Sequence, residues 1–168
     1  MVSIEMLEWK NYAEISTIEH SKALGKHQSG VYRVRLAKNS GNSPITIARF
    51  RGKDKEGLIS IGESVDLRRR IKEFYRSYAY PDNEKHSSCF RLALYVHFTN
   101  QRKQSVNVGE VQYSYAPLAE NEIQETEAML LAKYFRDFGE LPPLNSNVPG
   151  KFFGEMMKLR FGEAPTKI

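Results

Sequence analysis

Residues 58–78, LISIGESVDLRRRIKEFYRSY, change period partway along. The first five, LISIG, are a short apolar run of strand character. After Gly62 the apolar positions Leu67, Ile71, Phe74 and Tyr75 recur at helical spacing to about Tyr78. Ser64 or Asp66 offers the side-chain oxygen that caps the first free N–H groups of such a helix. A strand running through a capped turn into an amphipathic helix is therefore expected here.

Upstream, residues 31–36 (VYRVRL) alternate apolar and polar side chains, and residues 45–50 (ITIARF) form a second run. The stretches between the runs, NSGNSP at 39–44 and GKDKEG at 52–57, are turn-forming throughout. Three short runs joined by polar turns predict an antiparallel meander. Residues 3–24 read as a helix capped by Ser3 and stopped by Gly25. Downstream, 80–88 read as a loop, 107–115 as a strand ending at Pro117, and 119–138 as a long helix terminated by Gly139. Residues 89–100 fit either a strand, by alternation, or a helix capped by Ser87 or Ser88. A Pro/Asn connector then leads to a short amphipathic segment at 151–161. The expectation is one α+β domain.

Composition narrows the functional classes. The chain has 168 residues, 40% of them hydrophobic, which is enough for a real core. No long uncharged apolar run occurs, and the acid-bearing N-terminus does not read as a signal peptide, so a cytoplasmic protein with no membrane partner is expected. The single Cys89 excludes an intrachain disulfide framework and a CxxC-type zinc or redox site. There is no GxxxxGK[ST] and no HExxH, and the four histidines are scattered. The formal net charge of +5 is unevenly placed. Residues 26–72 hold 12 basic and 4 acidic side chains, an excess of +8, and the rest of the chain balances at −3. An oriented field of this kind suits a polyanionic partner.

Three features occur in order along the chain. Gly30-Val31-Tyr32 opens the first strand. Ser60-Ile61-Gly62 closes the third, with Arg70 eight positions after that Gly. Glu127 stands near the start of the long helix, in EAMLL, with Pro142-Pro143-Leu144-Asn145 beyond it. This order resembles the GIY-YIG nuclease superfamily, whose Gly-x-Ser-x-Asn/Asp-Leu-x-x-Arg pattern is matched by GESVDLRRR. The resemblance spans roughly residues 29–147. It implies a small three-stranded antiparallel sheet flanked by helices, here with an inserted strand, a helical N-terminal extension over 1–28 and a tail over 148–168.

The resemblance also implies a metal-dependent DNA endonuclease of restriction or mobile-element type, using one Mg²⁺ or Mn²⁺ per site. Arg70, a planar and always charged fork, suits a phosphoryl oxygen. Glu127 offers a hard oxygen ligand to the metal. Tyr32 can orient or deprotonate the attacking water, the latter only if a nearby cation lowers its pKa. Gly30, Gly62 and Asn145 take structural places. The chain departs from the family in two positions: Ser60 replaces the second tyrosine, and Phe74 stands where a polar ring is usual. Some restriction enzymes of the family use a lysine instead, for which Lys53 and Lys55 are the candidates. Arg33, Arg35, Arg51, Arg68, Arg69 and Lys72 are the basic residues expected to meet double-stranded DNA, and helical geometry forbids all of Arg68, Arg69 and Arg70 from facing one site. Cutting both strands with one site per chain favours a homodimer or sequential nicking. The alternative is a catalytically impaired member that binds nucleic acid or protein.

Overall fold

The computed structural model describes residues 4–21, 24–38, 43–79, 88–94 and 111–147. In chain order its strands are β1 (Ala13–Glu14), β2 (Gly30–Leu36), β3 (Ile47–Ala48), β4 (Lys53–Asp54), β5 (Leu58–Ser64) and β6 (Val111–Pro117). The helices are α1 (Leu67–Ala79), α2 over residues 88–94, and α3 (Glu120–Phe138). The architecture is α+β, with an antiparallel four-stranded sheet in the order β1-β6-β2-β5 and a separate two-stranded ladder of β3 and β4.

Strand β2 is central because its residues are apolar enough to be covered on both faces; six of its seven are buried. Tyr32 stands opposite Gly62 of β5 on one side and Tyr115 of β6 on the other. Alternation along β2 and β5, offset by the bulge in their pairing opposite Val34 and Arg35, then sorts side chains between two cores. Tyr32, Val34 and Ile59 join the cluster that includes Leu67, Ile71 and Phe74 of α1, all three wholly buried. Leu58 and Ile61 pack instead with Leu131 and Tyr134 of α3. Burial of each such large apolar side chain is worth about 1.5–3 kcal/mol relative to exposure.

The β5–α1 turn forms as its residues dictate. The Ser64 hydroxyl accepts from the Asp66 N–H at 3.0 Å, and Asp66 Oδ1 accepts from the Arg69 N–H at 2.9 Å. The Leu67 N–H donates to the Gln28 carbonyl at 2.9 Å, tying the start of α1 to the approach to β2. At the far end of the chain, Gly139 (φ 77°) takes the left-handed conformation that closes α3, its N–H donating to the Phe135 carbonyl.

Three sequence expectations need correction. The helix expected over 3–24 is absent from its described part: Ile4–Met6 and Ile15–Glu19 are 3₁₀ turns, and Ala13–Glu14 pairs with β6. Trp9 and Tyr12 are held there by cation–π contacts with Arg33 and Arg35, and Ile15 and Ile18 are buried in the core, so tertiary contacts outweigh a middling helix pattern. The meander also fails. Of residues 45–50 only Ile47–Ala48 is strand, and it pairs with β4 outside the main sheet, while β2 pairs directly with β5. The main sheet accordingly has four strands, not three. Residues 88–94 are helical, the second of the two readings that 89–100 allow in the sequence. The expectations for 39–42, 80–87, 95–100, 107–110, the 151–161 segment and Ser3 lie outside the described residues.

Asn145 ties the chain after α3 back to β5. Its Oδ1 accepts from the Ile61 N–H at 3.0 Å and its amide donates to the Ile61 carbonyl at 2.7 Å, beside a Leu144 N–H to Ile59 carbonyl bond of 2.8 Å. Asn145→Ala removes two hydrogen bonds and is expected to lower stability by about 1–3 kcal/mol in urea denaturation. Asn145→Asp, which keeps the acceptor and loses the donor, should lie between the two. An Asn145→Ala variant as stable as the parent would show that the amide contributes nothing.

Candidate active site

Gly62 explains how Tyr32 is seated. A Cβ at position 62 would collide with the Tyr32 hydroxyl and ring carbons, so the phenol lies across the one residue of β5 that leaves room for it. Phe74 of α1 holds the ring edge-on from the other side, with centroids 5.7 Å apart. Gly30 is constrained similarly, since a Cβ there would meet the Ala116 carbonyl and come within 2.9 Å of Leu67 Cδ1. Both glycines serve close packing.

Around the Tyr32 phenol the structure gathers charged groups from three further places in the chain. Arg70 of α1, Glu127 of α3 and Glu63 of β5 all act electrostatically on its proton, as does Cys89 of α2. Burial dominates: Tyr32 is 3% exposed and its pKa is raised, with Arg70 opposing the rise and the two carboxylates and the thiol adding to it. A phenol so protonated orients and donates; it does not take up a proton at neutral pH.

Glu127 is pushed up to about 7, first by burial and then by Glu63, against the pull of Arg70. The pKa of Glu63 is also raised by burial, again opposed by Arg70. Arg70 is largely buried, with Nη1 2.9 Å from Glu73 Oε2 and its Nε buried without a hydrogen-bond partner. A buried donor lacking an acceptor is costly, and a phosphoryl oxygen would satisfy it. Glu127, whose pKa the neighbouring Glu63 carboxylate helps to raise, is conversely, with Glu63, an oxygen donor suited to a hard divalent cation. No group of three or more His, Cys, Asp or Glu side chains able to hold a metal ion occurs among the described residues, so Glu127 and Glu63 would leave most positions on such an ion to water and substrate.

The other candidates are placed less centrally. Ser60 is wholly buried, with its Oγ unpartnered. Lys53 and Lys55 line a cavity whose wall includes neither Tyr32, Arg70 nor Glu127. Arg35 is buried, its Nε donating to Gln112 Oε1 at 2.9 Å and its guanidinium 3.6 Å from the Tyr12 ring centre, so it is committed to the interior and not to a DNA surface. Arg33 is mostly covered by Trp9, whose ring centre lies 3.8 Å away. Arg51 is exposed at the β3–β4 turn. Arg68, Arg69 and Lys72 line an open depression with Lys26 and Arg76, where Asp66 and Glu73 are the acids. Arg69 points outward to Glu73 and Arg70 inward, as helical geometry requires.

Glu63 and Glu73 are the residues that sequence reading missed. Glu73 stands three positions after Arg70, a spacing that puts the two on one helix face. Glu63 is a lone charge at the end of an apolar strand, a weaker signal. Comparisons of the chain with protein-family models, with curated proteins and with solved structures found no match. No helix among the described residues is long and apolar enough to cross a membrane.

The raised pKa of Glu127 has a stability consequence. The folded carboxyl keeps its proton to about pH 7, whereas the unfolded one loses it near its ordinary 4.5. Stability from this group is therefore complete below about pH 4.5 and is lost as pH rises to 7, by up to about 3 kcal/mol less whatever water reaching the carboxyl returns. Glu127→Gln should abolish that loss. In denaturation series with chelator at pH 5 and pH 8, the variant is expected to gain on the parent at pH 8; equal pH dependence of the two proteins would exclude the effect.

Proposed function

We propose that this chain is a metal-dependent DNA endonuclease of the GIY-YIG type, hydrolysing phosphodiester bonds. One observation carries the reading: of three residues that the family spacing picks from distant parts of the sequence, Arg70 and Glu127 act electrostatically on the Tyr32 hydroxyl, and Arg70 acts on Glu127 as well. The central β5-β2-β6 arrangement with α1 and α3 supports it, as does the unpartnered Arg70 Nε.

In this reading Arg70 binds a non-bridging phosphoryl oxygen and opposes the charge that builds there during attack. Tyr32 donates its hydroxyl proton in a hydrogen bond that orients the incoming water. Glu127, with Glu63 beside it, would hold the Mg²⁺ or Mn²⁺. When bound, that ion supplies charge neutralisation and stabilises the leaving oxygen. Glu73 positions the guanidinium of Arg70. The basic depression on α1 extends the phosphate-binding surface, and a homodimer or sequential nicking accounts for cleavage of both strands.

A second reading, an impaired module that binds nucleic acid without cutting, is favoured by two residues. Ser60 cannot reach or polarise as a phenol does, and Phe74 is an apolar wall in place of a polar ring.

Supercoiled plasmid incubated with protein and Mg²⁺ or Mn²⁺ separates the two. Nicking is expected from the parent chain, with Arg70→Ala and Glu127→Ala each lowering its rate by about 100-fold or more. Nicking that survives both substitutions would remove the site from consideration. Binding without nicking on varied DNA, weakening as salt rises, would establish the binding module instead.

A further inference from the structure

The two lysines that the Tyr32 site does not use point to a second site. On the α3 side of the sheet lies a cavity of about 430 Å³, within the size range of small-molecule pockets. Trp9, Leu58, Ile61, Leu130, Tyr134 and Phe138 contribute its apolar wall, in which the Tyr134 and Phe138 rings lie 4.5 Å apart. Its charges are nominally balanced, but they are not equally free. Asp54 is buried and accepts three backbone N–H bonds and the Tyr134 hydroxyl. Glu56 lies 3.6 Å from Arg33, Asp137 lies 3.2 Å from Lys133, and Glu5 also has a partner. Lys53 and Lys55, both exposed on the turn at the cavity, have no ion-pair partner among the described residues. Arg33, on the same wall, has a buried Nε with no hydrogen-bond partner.

An apolar slot with an aromatic wall, two free ammonium groups and an unsatisfied guanidinium donor calls for a ligand that is planar and apolar in one part and anionic in another. We propose that this cavity binds a nucleotide, its ring against the Trp9 and Tyr134 side and its phosphate at Lys53 and Lys55. The nucleotide is either free in solution or part of a single strand. Arg33 then supplies a hydrogen bond to an acceptor of the ligand. The proposal goes beyond the nuclease reading and is independent of it, because none of Tyr32, Arg70 and Glu127 lines the cavity.

Trp9 is the only tryptophan of the chain and lines the cavity, so its fluorescence, excited where nucleotides do not absorb, reports binding there. The full chain would be titrated separately with adenosine monophosphate, adenosine, inorganic phosphate and a short single-stranded oligonucleotide. Saturable change with the monophosphate is expected, with a Kd raised roughly tenfold or more by the Lys53→Ala, Lys55→Ala double variant. Saturation by the oligonucleotide but not by the monophosphate would assign the ligand to a strand. No saturable change with either would overturn the proposal. So would adenosine binding as tightly as its monophosphate, or monophosphate binding that the double variant leaves unchanged. Failure here leaves plasmid nicking unaffected, and Arg70→Ala, which should slow nicking by about 100-fold or more, should leave the Trp9 response intact.

Discussion

A tyrosine ring crossing a glycine is the constraint on which the rest of the structure depends. Tyr32 and Gly62 face each other across β2 and β5, and the phenol occupies the space that any side chain at 62 would fill. A one-residue slip in pairing would drive the ring into Ile61 or Glu63 and turn every side chain of β5 to the wrong face. The contact thus holds the register. Once the register is held, the β5–α1 turn follows two residues later, and the Ser64–Asp66 cap sets the helix that presents Arg70 inward.

Burial, more than proximity of opposite charge, governs the protons of the site. Arg70 pulls down the pKa of Tyr32, Glu63 and Glu127 alike, yet all three end above their ordinary values because each is taken out of water. The consequence is a division of labour: a phenol that remains a donor, a Glu127 carboxyl that gives up its proton only near pH 7, and a guanidinium with one donor still unsatisfied. That division cuts across the uneven charge along the chain. The basic section between residues 26 and 72 contributes Tyr32, Arg70 and Glu63, and the acidic remainder contributes Glu127.

Local signals were legible where neighbouring residues alone decide the structure. The switch from strand to helix after Gly62, the Asp66 cap and the Gly139 stop all depend on short-range stereochemistry and appear as expected. The N-terminal segment was misread because its outcome depends on residues far along the chain: Tyr12 lies against Arg35, and Ala13 pairs with Tyr113. Similarly, ITIARF has the composition of a strand, but the edge it would occupy beside β2 is taken by β5, leaving it a two-residue ladder with Lys53–Asp54. At the site, helical spacing correctly separated Arg70 from Arg69. Alternation alone could not reveal that Arg35 points into a closed interior, because that depends on Gln112 of β6 and on what the N-terminal segment covers.

The Asn145 side chain also bears on how two such chains could associate. Strand β5 lies at the edge of the sheet, and an edge strand ordinarily offers unpaired N–H and C=O groups on which another chain can add a strand. Asn145 occupies both hydrogen-bonding groups of Ile61, and Leu144 occupies the carbonyl of Ile59, so the chain's own backbone and one amide take the place of that neighbour. Addition of a strand at Ile59 and Ile61 is thereby blocked by the chain itself, which leaves the short β1 as the other outer strand of this sheet among the described residues.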